Sequence, residues 1–272
     1  MPRVAHIRPY VYVPNNHSNT VDVIDPRTFR VVRSFPVGSG PQHVTPSWNL
    51  RWLYVGNTYS NTLTVVDPRT ARPVRTIDVP DPYNLYFTPD GRMAVDVAER
   101  MATLFVYRMP GWRPAGEVSI PWPGADHLDF SRSGRILLIS TEFGGRVVRV
   151  NLARRRVTGS LDVGGSPVDV KLSPDGRLFF VANQVRGGVS VIDFATRRVV
   201  HTWHVGGSPD MLQVSTDGRR LWASNRYDGT VSVISTRTGR VLHRISVGSS
   251  PHGLTLFPQP GRFSIGHNGV YR

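Results

Sequence analysis

A pattern of about 42 residues recurs six times along this 272-residue chain, and a chain of stacked, nearly equal units has few ways to fold. The phase is marked by a short segment ending in an apolar residue. It reads Pro41-Gln42-His43-Val44, Pro82-Tyr83-Asn84-Leu85, Ala125-Asp126-His127-Leu128, Pro167-Val168-Asp169-Val170, Pro209-Asp210-Met211-Leu212 and Pro251-His252-Gly253-Leu254. The first residues lie 41, 43, 42, 42 and 42 positions apart. Every copy carries a polar or titratable side chain, so the repeat must gather these groups in one region.

The unit from Lys171 to Leu212 shows what each copy contains. Val170–Ser173 alternates and stops at the turn signal Pro174-Asp175-Gly176. Leu178–Asn183 is apolar, Gly187-Gly188 turns the chain, and Val189–Asp193 and Arg198–Trp203 read as two further strands. No segment long enough for a helix repeats its apolar residues every 3.6 positions. Four strands per unit predict an all-β fold, a β-propeller with four-stranded blades. A single domain spanning 1–272 is expected, with repeats at about 11–44, 45–85, 86–128, 129–170, 171–212 and 213–254 and closing strands within 255–272. Six blades are favoured, the termini completing one of them by pairing 252–257 with Tyr10–Asn15. Seven remain open, because Phe263–Asn268 also reads as a strand and competes for that place. An incomplete seventh blade would need patching by Val4–Arg8 or by a second protomer. In the third repeat, Met109-Pro110-Gly111-Trp112-Arg113-Pro114 replaces the usual turn and predicts a different loop.

The strand Tyr54-Val55-Gly56-Asn57, the turn Ser173-Pro174-Asp175-Gly176-Arg177, the strand Val189-Ser190-Val191-Ile192-Asp193 and the segment Gly206-Gly207-Ser208-Pro209 resemble the YVTN-type β-propeller repeat family. The resemblance covers nearly the whole chain. It implies the fold and leaves the function open, because the fold hosts binding, scaffolding and a few chemistries. Rings in this family often close with seven blades, one more than the repeats counted here.

Antiparallel order puts the turns after first and third strands on one face and those after second and fourth strands on the other. The chain has 33 basic against 19 acidic residues, a net charge of +14, and Lys171 is its single lysine. Arg92, Arg135, Arg154, Arg155, Arg156, Arg177, Arg219 and Arg220 fall on the first face, where they would engage a polyanion such as nucleic acid or an anionic surface. The plainer reading is solvated turns whose Asp residues partly neutralise the Arg.

The second face collects His43, Tyr83, Asn84, Asp126, His127, Asp169, Asp210 and His252 around a central funnel, with His17, Glu99 and Glu142 in nearby turns. Imidazole and carboxylate together suit a divalent transition metal, with His43, His127 and His252 as ligands, or acid–base work. A polar funnel is also satisfied by water alone. Asp126 and His127 are adjacent in a strand, so their side chains are expected to point apart. His267 either plugs the channel mouth or lies outside it. His201, His204 and His243 belong to outer strands.

The absence of Cys excludes disulfides and thiolate metal sites. No apolar run approaches the roughly 18 residues of a membrane-spanning helix. The N-terminus lacks an apolar signal region, so a cytoplasmic protein is expected as written, and an exported one if the true start lies upstream. There is no Gly-x-Ser-x-Gly elbow, phosphate-binding loop or His-Glu-x-x-His pair. The expected function is non-catalytic binding of a small ligand or protein segment at the funnel. Two alternatives stand: a metal-dependent propeller enzyme of the lyase or lactonase type, and a nucleic-acid-binding propeller. A monomer is expected, or a dimer if the ring is incomplete.

Overall fold

A computed structural model describes residues 4, 6–130, 134–144, 146–162, 168–173, 175, 177–184, 187–193, 198–215, 217–257, 264–267 and 270–271. Among these residues the strands form six sheets, five of four strands and one of six. Blade 1 contains Thr255–Phe257, Tyr10–Asn15, Thr20–Asp25 and Arg30–Pro36; blade 2 contains Pro41–Pro46, Leu53–Asn57, Thr62–Asp67 and Arg72–Asp78. Blade 3 is built on Asn84–Phe87, Met93–Ala98, Thr103–Arg108 and Arg113–Ser119, and blade 4 on Ala125–Phe130, Ile136–Thr141, Arg146–Asn151 and Arg156–Asp162. Blade 5 holds Val170–Leu172, Leu178–Asn183, Gly188–Asp193 and Arg198–His204, and blade 6 holds Pro209–Val214, Arg220–Asn225, Thr230–Ser235 and Val241–Ser246.

Composition within a blade follows distance from the axis. In blade 2, Pro41–Pro46 and Leu53–Asn57 are buried throughout, and Thr62–Asp67 nearly so. Arg72–Asp78 is mostly exposed and carries the charge that protects a sheet edge from pairing. Blades meet through apolar clusters, each drawn from two neighbours. One joins Val11, Val13 and Ile24 of blade 1 to Trp222, Val231 and Val233 of blade 6. At this seam Thr255–Phe257 pairs antiparallel with Tyr10–Tyr12, so the two ends of the chain complete one blade.

The C-terminal strand takes neither of the places expected for it. Ser264–Gly266 joins the inner strand Asn84–Phe87, and Val270–Tyr271 pairs beyond it, making blade 3 six-stranded. It therefore lies on the channel side and starts no seventh blade; Phe263 and Asn268 lie outside the described residues. Gly266 is required there. Its φ is 104°, and an added Cβ would collide with the backbone of Leu85 and Tyr86. Val4 and Ile7 patch no blade, and instead pack into the cluster shared by blades 1 and 2. The divergent loop of the third repeat has a cis Met109–Pro110 bond, and its Trp112 packs edge-on against Tyr54 at 5.4 Å and Tyr107 at 5.7 Å.

Three inner strands share a β-bulge at the phase marker. Partners jump from Pro41↔Asn57 to Val44↔Val55, from Ala125↔Thr141 to Leu128↔Ile139, and from Pro209↔Asn225 to Leu212↔Ala223. One extra residue on the inner strand breaks the strict alternation of side chains just where the polar groups sit.

Candidate functional site

The bulges turn the marker residues toward the axis. The His43 ring lies 5.5 Å from His127, 4.7 Å from His252, 4.8 Å from His267 and 5.0 Å from Tyr83, centroid to centroid. His127 and His267 are 4.2 Å apart. Four imidazoles thus meet, from blade 2, blade 4, the connection into blade 1 and the C-terminal strand. His267 was the residue whose place the repeat could not predict.

These rings have distinct partners. His267 donates its backbone N–H to Leu85 O at 2.9 Å, and its Nδ1 lies 2.6 Å from Asn84 Oδ1. Its Nε2 is 3.5 Å from Asp169 Oδ1, which Lys171 Nζ approaches at 3.7 Å. His127 Nδ1 is 2.8 Å from Asp126 Oδ1. The expectation that this pair would point apart is corrected by the bulge between Ala125 and Leu128. His252 is tied elsewhere: its Nδ1 bonds Asp210 Oδ2, and its Nε2 is 3.0 Å from the Tyr83 hydroxyl. Arg226 Nη1 is 3.1 Å from His252 Nδ1, and Gln184 donates to Asp210 Oδ1 at 2.7 Å. The imidazoles whose ligand nitrogens converge, within 4.8 Å of one another, are therefore those of His43, His127 and His267.

Above this floor opens a funnel of about 740 Å³. Its wall includes Gln42, Tyr83, Glu99, Glu142, Gln184, Asp210, Arg226 and His252, with His17 among the lining residues. Phe143 and Tyr227 also line it, and they are 66% and 76% exposed. Sequence reasoning had not singled out Gln184, Arg226, Phe143 or Tyr227. The signal was present: Glu99, Glu142, Gln184 and Arg226 each follow directly on a second strand, and Phe143 and Tyr227 come one residue later.

Burial, joined by the charge of Asp126, pushes Glu99 and Glu142 up to about 7. Burial raises Asp210 to about 6 against the opposing pull of Arg226, and it raises Asp126 as well. Burial also holds His252 and His267 well below the usual histidine range, so both rings are neutral. The funnel is a place where ionising a carboxylate is costly.

On the opposite face Arg92, Arg135, Arg154, Arg155, Arg156, Arg177, Arg219 and Arg220 are all exposed. Arg8 and Arg69 pair with Asp25 at 2.5 Å and Asp67 at 2.6 Å. Asp25, Asp67, Asp90, Asp175 and Asp217 each accept a backbone N–H within their own turns, from Arg27, Arg69, Arg92, Arg177 and Arg219. Pro167, Pro174 and Gly176 lie outside the described residues.

A family model described as YNCE-like beta-propeller matches residues 4–114 and 170–261. No curated protein sequence is detectably similar. Among solved structures, a functionally unknown protein from Desulfotomaculum acetoxidans superposes with a TM-score of 0.68 at 12% identity, covering 92% of this chain and 99% of its own. Hydrazine synthase of Kuenenia stuttgartiensis gives a TM-score of 0.59 at 18% identity, covering 89% and 84%. A candidate 6-phosphogluconolactonase from Bacteroides fragilis gives 0.60 at 17%, covering 93% and 85%. At these identities the likeness is one of fold.

Proposed function

Since the chain belongs to the YNCE-like beta-propeller family, a fold that lends itself to many functions, we propose from the site itself that it is a binding propeller whose funnel takes a small cationic ligand or a cationic side chain of a protein segment. The observation that carries this reading is the inversion of charge. In a chain of net charge +14, the funnel presents Glu99, Glu142, Asp210 and Asp228 against Arg226. Carboxylates already removed from water gain more from a partner cation than exposed ones do. Exposed Phe143 and Tyr227 at the same opening offer aromatic faces to the same cation.

Titration calorimetry with spermidine and with N-acetyl-lysine methylamide tests it. Saturable binding to spermidine is expected, weakened at least about tenfold in the double variant Glu99→Gln/Glu142→Gln, the equivalent of about 1.4 kcal/mol. It should also strengthen as pH rises through about 7, where Glu99 and Glu142 ionise beside Asp126, His127, Asp210 and Arg226. Absence of binding at the alkaline end, or affinity indifferent to the double substitution, would overturn the reading.

A second reading has one observation of its own. Asp210, His252 and Tyr83 form a hydrogen-bonded series in which a carboxylate orients an imidazole that faces a phenol, an arrangement suited to moving a proton. It supports acid–base catalysis at the funnel floor. A phosphorylated lactone is a poor substrate for it, because a phosphate would meet four carboxylates and one guanidinium.

A further inference from the structure

We propose that His43, His127 and His267 form a site for one divalent transition metal, built into the floor below the funnel and completed by the C-terminal strand. The site stands apart from the cation funnel and does not depend on it.

Three observations converge. The first is the meeting itself. Residues from blade 2, blade 4 and the C-terminal strand bring one ligand nitrogen each to within 4.8 Å of the other two. The second is that two of the rings have an oxygen of an outer residue at Nδ1, as metal-binding imidazoles do. Asn84 Oδ1 takes Nδ1 of His267 and leaves its Nε2 as the donor to a metal. Asp126 Oδ1 lies 2.8 Å from Nδ1 of His127, a charge contact on that side of the ring, and Nε2 of His127 is buried with no hydrogen-bond partner among the described residues. A buried polar atom left in that state is costly, and a metal would satisfy it. The third is that the surroundings make room and supply an oxygen. A Cβ on Gly253 would stand 2.6 Å from His43 Nδ1, so the ring can sit there only beside glycine. Asp169 Oδ1, 3.5 Å from His267 Nε2, is placed to become a fourth ligand.

Three imidazoles with one carboxylate suit zinc, cobalt(II) or nickel rather than calcium or magnesium, which prefer all-oxygen shells. Bonds of about 2.1 Å in a tetrahedral site would separate ligand nitrogens by roughly 3.4 Å. The rings therefore have to draw in by about 1 Å on loading. Because one ligand is His267, loading would fasten the C-terminal strand to blades 2 and 4 and raise the melting temperature.

The test uses untagged full-length protein stripped with a chelator and then titrated with Co²⁺ and Zn²⁺. One equivalent should bind, with the visible cobalt absorption of a four- or five-coordinate site and a higher melting temperature. His127→Ala and His267→Ala should each weaken uptake at least about tenfold, the low end for losing an outer partner and less than expected for a ligand. His201→Ala, on an outer strand, should bind like wild type. If either alanine variant misfolds by circular dichroism, His127→Gln or His267→Gln is used, and the wild-type cobalt spectrum needs no variant. No stoichiometric uptake by wild type, a six-coordinate aqueous-type cobalt spectrum, or an unchanged spectrum in folded His267→Ala would overturn the proposal. Spermidine binding is measured separately, so either site can fail without the other.

Discussion

The two faces of the ring use the same chemical group, the carboxylate, to opposite ends. In the Arg-bearing turns Asp25, Asp67, Asp90, Asp175 and Asp217 are all held below the ordinary range. For Asp25 the main cause is the Arg27 backbone N–H, and for Asp67 it is the Arg69 guanidinium. In the funnel Glu99, Glu142, Asp126 and Asp210 are raised, chiefly by burial. An acid in a turn has donors supplied by its own loop and water beyond them. An acid in the funnel has lost water and faces other acids. The first arrangement stabilises the fold and the second costs stability, which is the usual mark of a binding or catalytic site.

The ring that carries both faces should be indifferent to their difference, which sets the largest effect. Trp222 is 1% exposed and fills the seam between blades 6 and 1. Trp222→Ala should cost about 3–5 kcal/mol in urea unfolding. The loss should be equal at acid and neutral pH. A strong pH dependence would mean that the seam is coupled to one of the charged faces.

Next comes the funnel. Between the ordinary carboxylate range and pH about 7 the folded protein holds protons on Glu99 and Glu142 that the unfolded chain releases. Stability must therefore fall as pH rises through that window. Both groups are partly open to solvent, so the pair's contribution is discounted to about 1–2 kcal/mol. Glu99→Gln/Glu142→Gln should be more stable than wild type by that amount above about pH 8 and equal to it near pH 4. A double variant that is less stable at alkaline pH would show that these acids already have cationic partners, and the contrast between the faces would collapse.

How much of this was legible beforehand divides along the line between local pattern and tertiary placement. Six blades and their closure by the termini follow from repeat spacing, turn residues and the surplus inner strand at Thr255–Phe257. That the marker residues gather at the axis follows from the same count. The meeting of Asp126 with His127 was hidden, because a bulge is one residue of register and leaves no trace in an alternating pattern. The place of His267 was hidden for another reason. Ser264–Gly266 pairs with the axial edge of Asn84–Phe87, and nothing local says which edge a short strand will choose. Arg226 and Gln184 were within reach, since Glu99 and Glu142 had already marked their position in the repeat.

The smallest effect lies in the turns. Asp217 Oδ1 accepts the Ser215 hydroxyl at 2.6 Å and the Arg219 N–H at 3.0 Å, closing the turn that leads into Arg220–Asn225. These bonds are exposed to water, so Asp217→Ala should cost only about 0.5 kcal/mol near neutral pH. The sign of its pH dependence is the useful part. The Asp217 carboxyl is held below its ordinary range, first by the Ser215 hydroxyl and then by the Arg219 N–H. The folded state therefore keeps the charged form in acid where the unfolded chain takes up a proton. Its stabilisation is present above the ordinary carboxylate range and fades as pH falls below it, the reverse of the funnel pair. Wild type and Asp217→Ala should thus differ near neutrality and converge in acid, while wild type and the Glu99/Glu142 double variant converge in acid and separate with rising pH in the other direction. Unfolding curves for the three proteins across the same pH series would show stabilising turn acids and destabilising funnel acids in one molecule. Two displacements of the same sign would mean that burial, and not the supply of donors, fails to separate the faces.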